Sequence, residues 1–349
     1  MGLSRRTLLA LAGAAALPIP AGLAAVKRPT FAALSKRWLD GMLALGPVNA
    51  TALGDHRHDN ALDDLSPAGR TAASTFSNTI LAELGKIDVT RLPRAEQVDA
   101  KMLENALRFD LWSREVLKDW SWDPLLYTNL AGQALYGLMA RDFAPLPKRL
   151  ASAIARIEEI PDLWAQMRAN LDPARVPQVH AETAAKQHSG ALSLAEDLIV
   201  AQAELLPATD RARLDKAVAR LKTESASQQD WLEKTLVPAA KGDYRLGAEH
   251  YDQKLAFLLA SPLTRMEIRK RAEAAMAKTR DEMYAQARRV LTGRPGAPPA
   301  PEKPSPAEQQ AAIKAALELA AAERPARDKL VETAERTLAT ATDFVRKKD

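Results

Sequence analysis

The sequence predicts an all-α protein, an array of about ten to eleven helices. Three observations carry that reading. Ala and Leu dominate the 349 residues while aromatics make up only 5%. Pro and Gly sit at punctuation points more than inside periodic runs. No stretch alternates β-branched and aromatic residues as a half-buried strand does.

Taken in order, helices are expected near 31–48, 66–86, 93–119, 125–141, 147–171, 178–205, 208–236, 246–259, 264–292, 306–323 and 325–346. Ser66-Pro67 and Leu92-Pro93 mark two of the starts, because Pro is tolerated in a first turn whose N–H groups have no partner. Two others carry a capping box, Thr264 with Glu267 and Ser305 with Glu308. Apolar spacing agrees: Leu214, Val218 and Leu221 share one face, as do Met276, Met283, Ala287 and Val290. Between the helices at 264–292 and 306–323 lies the Pro-rich run 293–306, read as an extended surface excursion and not as a domain boundary. The helical region is taken as one stretch, 26–349.

Ahead of it, residues 1–25 have the order of a twin-arginine export signal. Arg5 and Arg6 stand between Ser4 and Thr7-Leu8-Leu9, and the apolar stretch that follows is built mostly on Ala and Gly. That stretch is well short of the roughly 20 apolar residues that span a bilayer. Pro18 and Pro20 close it, and the small residues Ala21–Ala25 offer a cleavage site after Ala24 or Ala25. The expected destination is the periplasm or cell envelope. Cleavage after Ala24 removes two arginines and no acid, so 49 basic residues become 47 against 44 acidic ones and the net charge falls from +5 to +3. Charges of both signs are interspersed, as on solvated helix faces. No basic block is interleaved with aromatics, which argues against nucleic acid as a partner, and no second apolar run could span a membrane. Without cysteine, the mature chain must be held by its core alone.

Chemistry is sparse. The five histidines are His56, His58, His180, His188 and His250, and none has the H-E-x-x-H spacing of a helical zinc site. His180 and His188, two turns apart if they share a helix, are expected at exposed or boundary positions. The densest polar cluster is Gly54-Asp55-His56-Arg57-His58-Asp59 with Asp63-Asp64-Leu65-Ser66. Such residues could hold a metal or a polar substrate; they equally suit a turn-rich loop entering a helix N-terminus. No G-x-S-x-G elbow, Walker loop or dinucleotide fingerprint occurs. The six tryptophans are read as core or boundary packing.

Three stretches give a more specific direction. The first runs from Ala52 to Asp59 and continues as Leu62-Asp63-Asp64-Leu65-Ser66-Pro67. The second comprises Trp122-Asp123-Pro124-Leu125, Arg141-Asp142-Phe143-Ala144-Pro145, Arg149-Leu150, the run from Ala155 to Pro161, and Asn170-Leu171. The third comprises Arg245 to Tyr251, Leu255 and Phe344-Val345-Arg346. Together they resemble the bacterial domain of unknown function 885, whose members resemble zinc-dependent peptidases of the gluzincin type. His58 departs from that pattern, which usually has an aromatic residue there.

The resemblance implies an N-terminal helical half and a C-terminal half that carries the zinc ligands. The sequence ends at Asp349, where that second half would begin. The expectation is therefore a chain with no catalytic or zinc-binding residue of its own, inactive alone, although a full-length member would use zinc on a peptide or other small substrate. Asp55, His56, Asp59, His250 and Tyr251 are the candidates to face the substrate cleft. Apolar faces left uncovered would favour self-association. The competing reading is a non-catalytic exported helical binding or interaction module.

Overall fold

The computed structural model describes residues 30–348, and the proposed export signal, with Arg5 and Arg6, lies outside them. Among the described residues there is no β-strand, only an isolated bridge between Pro177 and Gly242. The chain divides into two compact units, one ending at Ala260 and the other beginning at Ser261.

The first unit contains α1 (Phe31–Leu45), α2 (Pro47–Leu53), α3 (Pro67–Leu84), α4 (Arg94–Trp112), α5 (Pro124–Met139), α6 (Leu146–Asn170), α7 (Gln178–Gln187), α8 (Gly190–Leu194), α9 (Ala208–Trp231) and α10 (Gly247–Leu259). Local chemistry sets the ends. Thr30 and Ser66 accept from the N–H groups of Ala33 and Gly69 and so cap α1 and α3. Gly54 ends α2 at φ 88°, a left-handed position that a side chain would strain. The main core is formed by α5, α6 and α9: Leu135 and Leu138 meet Leu150, Ile154, Ile157 and Trp164, and Leu214, Val218 and Leu221 close it with the buried face the spacing predicts. Each large side chain so buried contributes about 1.5–3 kcal/mol before entropy is counted. A smaller cluster joins α1, α3 and α4 through Phe31, Leu34, Ile80, Leu103 and Leu107.

The helix expected over 178–205 is interrupted. It breaks at His188 and Ser189, and continues beyond α8 as a wide π turn over Ala195–Ile199 and a 3-10 segment over Val200–Leu205. His188 is consequently buried, not exposed or at a boundary. Its Nε2 lies 3.1 Å from the Ser225 carbonyl, to which it donates as the neutral ring, and its ring packs at 4.6 Å on Trp164. Burial lowers its pKa below the ordinary 6.5, with Arg168 adding to the effect.

The second unit contains α11 (Arg265–Leu291), α12 (Pro306–Ala322) and α13 (Leu330–Arg346). The Ser305 box is complete, with the hydroxyl accepting from Glu308 N–H and the Glu308 carboxylate accepting from Ser305 N–H. At Thr264 only the first half forms, because Glu267 pairs instead with Arg271 at 2.8 Å. The Pro-rich run between α11 and α12 is tied down by Arg288, which donates to the Pro298 carbonyl at 2.7 Å. The predicted α11 face is only partly covered: Ala287 is buried, while Met276, Met283 and Val290 stay exposed.

Candidate functional site

The loop from Gly54 to Ser66, rich in Asp and His, is built around a buried arginine. Arg156 of α6 is wholly buried and spreads its guanidinium across the loop and its neighbours. It donates to the carbonyls of Pro47 (3.1 Å), Ala61 (2.9 Å) and Ala134 (2.9 Å) and to the Thr51 hydroxyl (2.7 Å). A planar fork of five N–H groups suits this task. The Thr51 hydroxyl in turn donates to Asp59 Oδ1 (2.7 Å), and the other oxygen of Asp59 lies 3.0 Å from His56 Nδ1. The His56 ring stacks on Phe143 at 3.5 Å and 5°. Phe143 in turn sits on a loop fixed by Arg149, which donates to the carbonyls of Arg141 and Ala144 and to Asp142.

The same economy holds the far end of the loop. Asn170 donates to the Leu65 carbonyl (2.8 Å) and the Tyr127 hydroxyl (2.9 Å), while Arg70 donates to Leu65 O and Asn170 Oδ1 and lies 3.7 Å above the Trp120 ring. Burial pushes the Tyr127 hydroxyl up to about 12. Residues from the first two family-like stretches thus meet through their polar side chains.

The five cleft candidates fall into separate places. His56 and Asp59 are joined as described. Asp55 points instead to Arg57, whose guanidinium holds that carboxyl down at about 2 and also reaches Asp40 at 2.9 Å. His250 packs edge-on against Trp112 at 6.3 Å, on a helix held by the Trp112 Nε1 bond to Gln253 (2.6 Å) and the Asn105 bond to the Phe257 carbonyl (2.9 Å). Tyr251 beside it is exposed.

Cavities open nearby, on the side of α2 and Asp63. One, of about 420 Å³, has α2 (Val48, Asn49, Ala52) and one face of α5 (Leu126, Asn129, Leu130, Gln133, Gly137) for walls, with Asp63, Asp119 and Asp123 at its edge. A second, of about 270 Å³, lies among α1, α3 and α4, between Trp38, Met42 and Phe76 at one side and the Asp110–Arg114 ion pair (2.9 Å) at the other. Asn49 and Asp63 line both. Burial raises the Asp63 carboxyl against the pull of Val48 N–H and Arg156, and burial likewise raises Asp119.

Neither Asp119 nor Asp123 is among the cleft candidates, although Asp123 stands in the second family-like stretch. Asp123 reads as the N-cap of α5, which it is, accepting from Leu125 N–H at 3.1 Å. Arg149 and Arg156 belong to that same stretch, but no role is read for them from the sequence; their seven-residue spacing on the apolar stripe of α6 was an available signal. Zinc, which the family resemblance implies, finds no donor set among the described residues. Among the described residues no three His, Asp or Glu side chains stand together as ligands. His56, His180 and His188 lie against Asp59, Asp123 and Ser225 respectively.

No curated protein matches the chain. Its fold is similar to a solved structure described as "a putative lipoprotein of unknown function from Shewanella oneidensis", with a TM-score of 0.72 and 26% identity. The match covers 92% of this chain and 58% of that one, so the chain spans little more than half the length of that relative. Residues 47–349 match the family described as bacterial protein of unknown function (DUF885). That match extends over most of the chain and takes in the larger cavity and the Arg156 hub, and the chain belongs to this family.

Proposed function

We propose that this chain is the substrate-binding helical part of an exported hydrolase resembling a zinc-dependent peptidase, with the hydrolytic centre outside its own residues. The observation that carries the reading is the pair of adjoining cavities. Two family-like stretches, one with Asp63 and one with Asp123, are brought to one cleft by the Arg156 and Asn170 hubs. Amides and carboxylates beside apolar walls suit a peptide, which presents N–H donors along its backbone and side chains at intervals.

The work of these residues is to bind and orient. Asn49, Asn129 and Gln133 can both donate to and accept from a peptide unit, whereas the carboxylates only accept while ionised. The rigid hub beneath them supplies preorganisation, so little side-chain freedom is lost on binding. The twin-arginine order of residues 4–9 supports export before this binding takes place.

The test uses the mature chain, residues 26–349. Calorimetry with short peptides, beside an assay with quenched fluorogenic peptides, is expected to show binding without cleavage. Cleavage by this chain alone would overturn the placement of the hydrolytic centre. Absence of any peptide binding would overturn the peptidase reading in favour of an interaction module.

A further inference from the structure

The two cavities share Asn49 and Asp63, and that sharing constrains what fits them together. The smaller one is bounded by Trp38, Met42 and Phe76, and its volume of about 270 Å³ accommodates one large apolar side chain. The larger one has amides along α5 and, among the described residues that line it, three carboxylates and no Lys or Arg. In a peptide only the terminal residue carries a side chain and an ammonium on the same carbon. A carboxylate that faces both compartments is where that ammonium falls when the side chain occupies the smaller one.

We propose, resting on the peptide reading above, that this cleft takes peptides by their free amino end, with a large apolar first side chain between Trp38 and Phe76, the ammonium at Asp63, and the following peptide units along Asn129 and Gln133 of α5. Charge balance supports the polarity. Arg114, which lines the smaller cavity, is engaged by Asp110, and Asp110 also accepts from Ser77 at 2.9 Å. Asp123 has partners in Leu125 N–H and His180. Asp63 accepts from the Val48 N–H at 3.0 Å and lines both cavities, and burial raises its carboxyl against the pull of Arg156 and Arg114.

The experiment compares Phe-Gly-Gly amide with its N-acetyl form, by calorimetry on the mature chain at pH 7. The free amine is expected to bind about tenfold more tightly, as for one ion pair screened from water. Asp63→Asn should bring the two ligands within about twofold while keeping the acceptor for Val48 N–H. Trp38→Ala should remove most of the preference for Phe-Gly-Gly over Ala-Gly-Gly amide, which is expected at about tenfold in the unmodified protein. Equal binding of the acetylated and free peptides would overturn the amino-end assignment while leaving peptide binding intact. Failure of both to bind would overturn the peptide reading itself. An unchanged Phe preference in Trp38→Ala would remove the side-chain assignment. Because acetylation alters the ligand alone, its comparison stands even if a variant fails to fold.

Discussion

Asp63 illustrates a conflict between binding and stability at a single side chain. Its carboxyl is raised by burial, so the folded state holds its proton more firmly than the unfolded chain does, where the ordinary value is 3.8. Stability contributed by the protonated form is complete below that value and is lost as pH rises through the folded pKa. Asp63→Asn should therefore raise the melting temperature at pH 7, and the gain should vanish at pH 3; equal melting at both pH values would contradict this. His188 has the opposite sign. Burial lowers its pKa from 6.5, so the neutral ring stabilises the fold and that contribution declines as pH falls below 6.5. His188→Gln, which can still donate to the Ser225 carbonyl, should flatten the loss of stability over that range in melts taken at successive pH values. Arg156 is the most demanding position. Arg156→Met leaves the carbonyls of Pro47, Ala61 and Ala134 without their buried donor. A loss of about 3–5 kcal/mol is expected from urea unfolding.

At the scale of elements, the helices were legible because their signals are local. Ser66-Pro67 and Ser305-Pro306-Ala307-Glu308 state where α3 and α12 begin, and Leu214, Val218 and Leu221 state which face of α9 is buried. Ser305→Ala should cost about 1 kcal/mol, read as earlier thermal loss of helicity, whereas Thr264→Ala should cost less because Glu267 does not return the bond. The break at His188 was not legible. Nothing there resembles Pro or Gly punctuation until Gly190, and what turns the ring inward is its contact with Trp164 and Ser225 on other helices. The cleft was illegible for a related reason. Asp63, Asp119 and Asp123 each look like turn or cap residues in their own segments, and only the packing of α2 against α5 gives them a common space. The polar loop was found, but its role in the hub depends on Arg156, about 100 residues further along the sequence.

For the whole molecule, the two units differ in how much of their apolar surface is covered. In the second, Val331, Leu338, Phe344 and Val345 of α13 are all more than half exposed. A hydrophobic dye should bind the chain, and Leu338→Glu together with Val345→Glu should reduce that signal; an unchanged signal would move the dye site elsewhere. Among the described residues no helix is long and apolar enough to cross a membrane. Export is tested separately, by replacing Arg5 and Arg6 with Lys in front of a reporter that folds in the cytoplasm, and periplasmic signal is expected to fall.

The bridge between Pro177 and Gly242 has a consequence for the order of folding. Gly242 N–H donates to Val176 O at 2.8 Å, and a side-chain carbon on Gly242 would stand 2.0 Å from the Arg175 carbonyl oxygen. The clasp therefore tolerates only glycine, and it fastens the two ends of the excursion that carries α7, α8 and α9. Closing so long a loop yields little until the helices within it have found the core, so the clasp belongs to the last steps of assembly. Gly242→Ala should accordingly shorten the lifetime of the native state while leaving the refolding rate nearly unchanged. The glycine acts as a latch on a finished structure, setting how long the α7–α9 excursion stays shut.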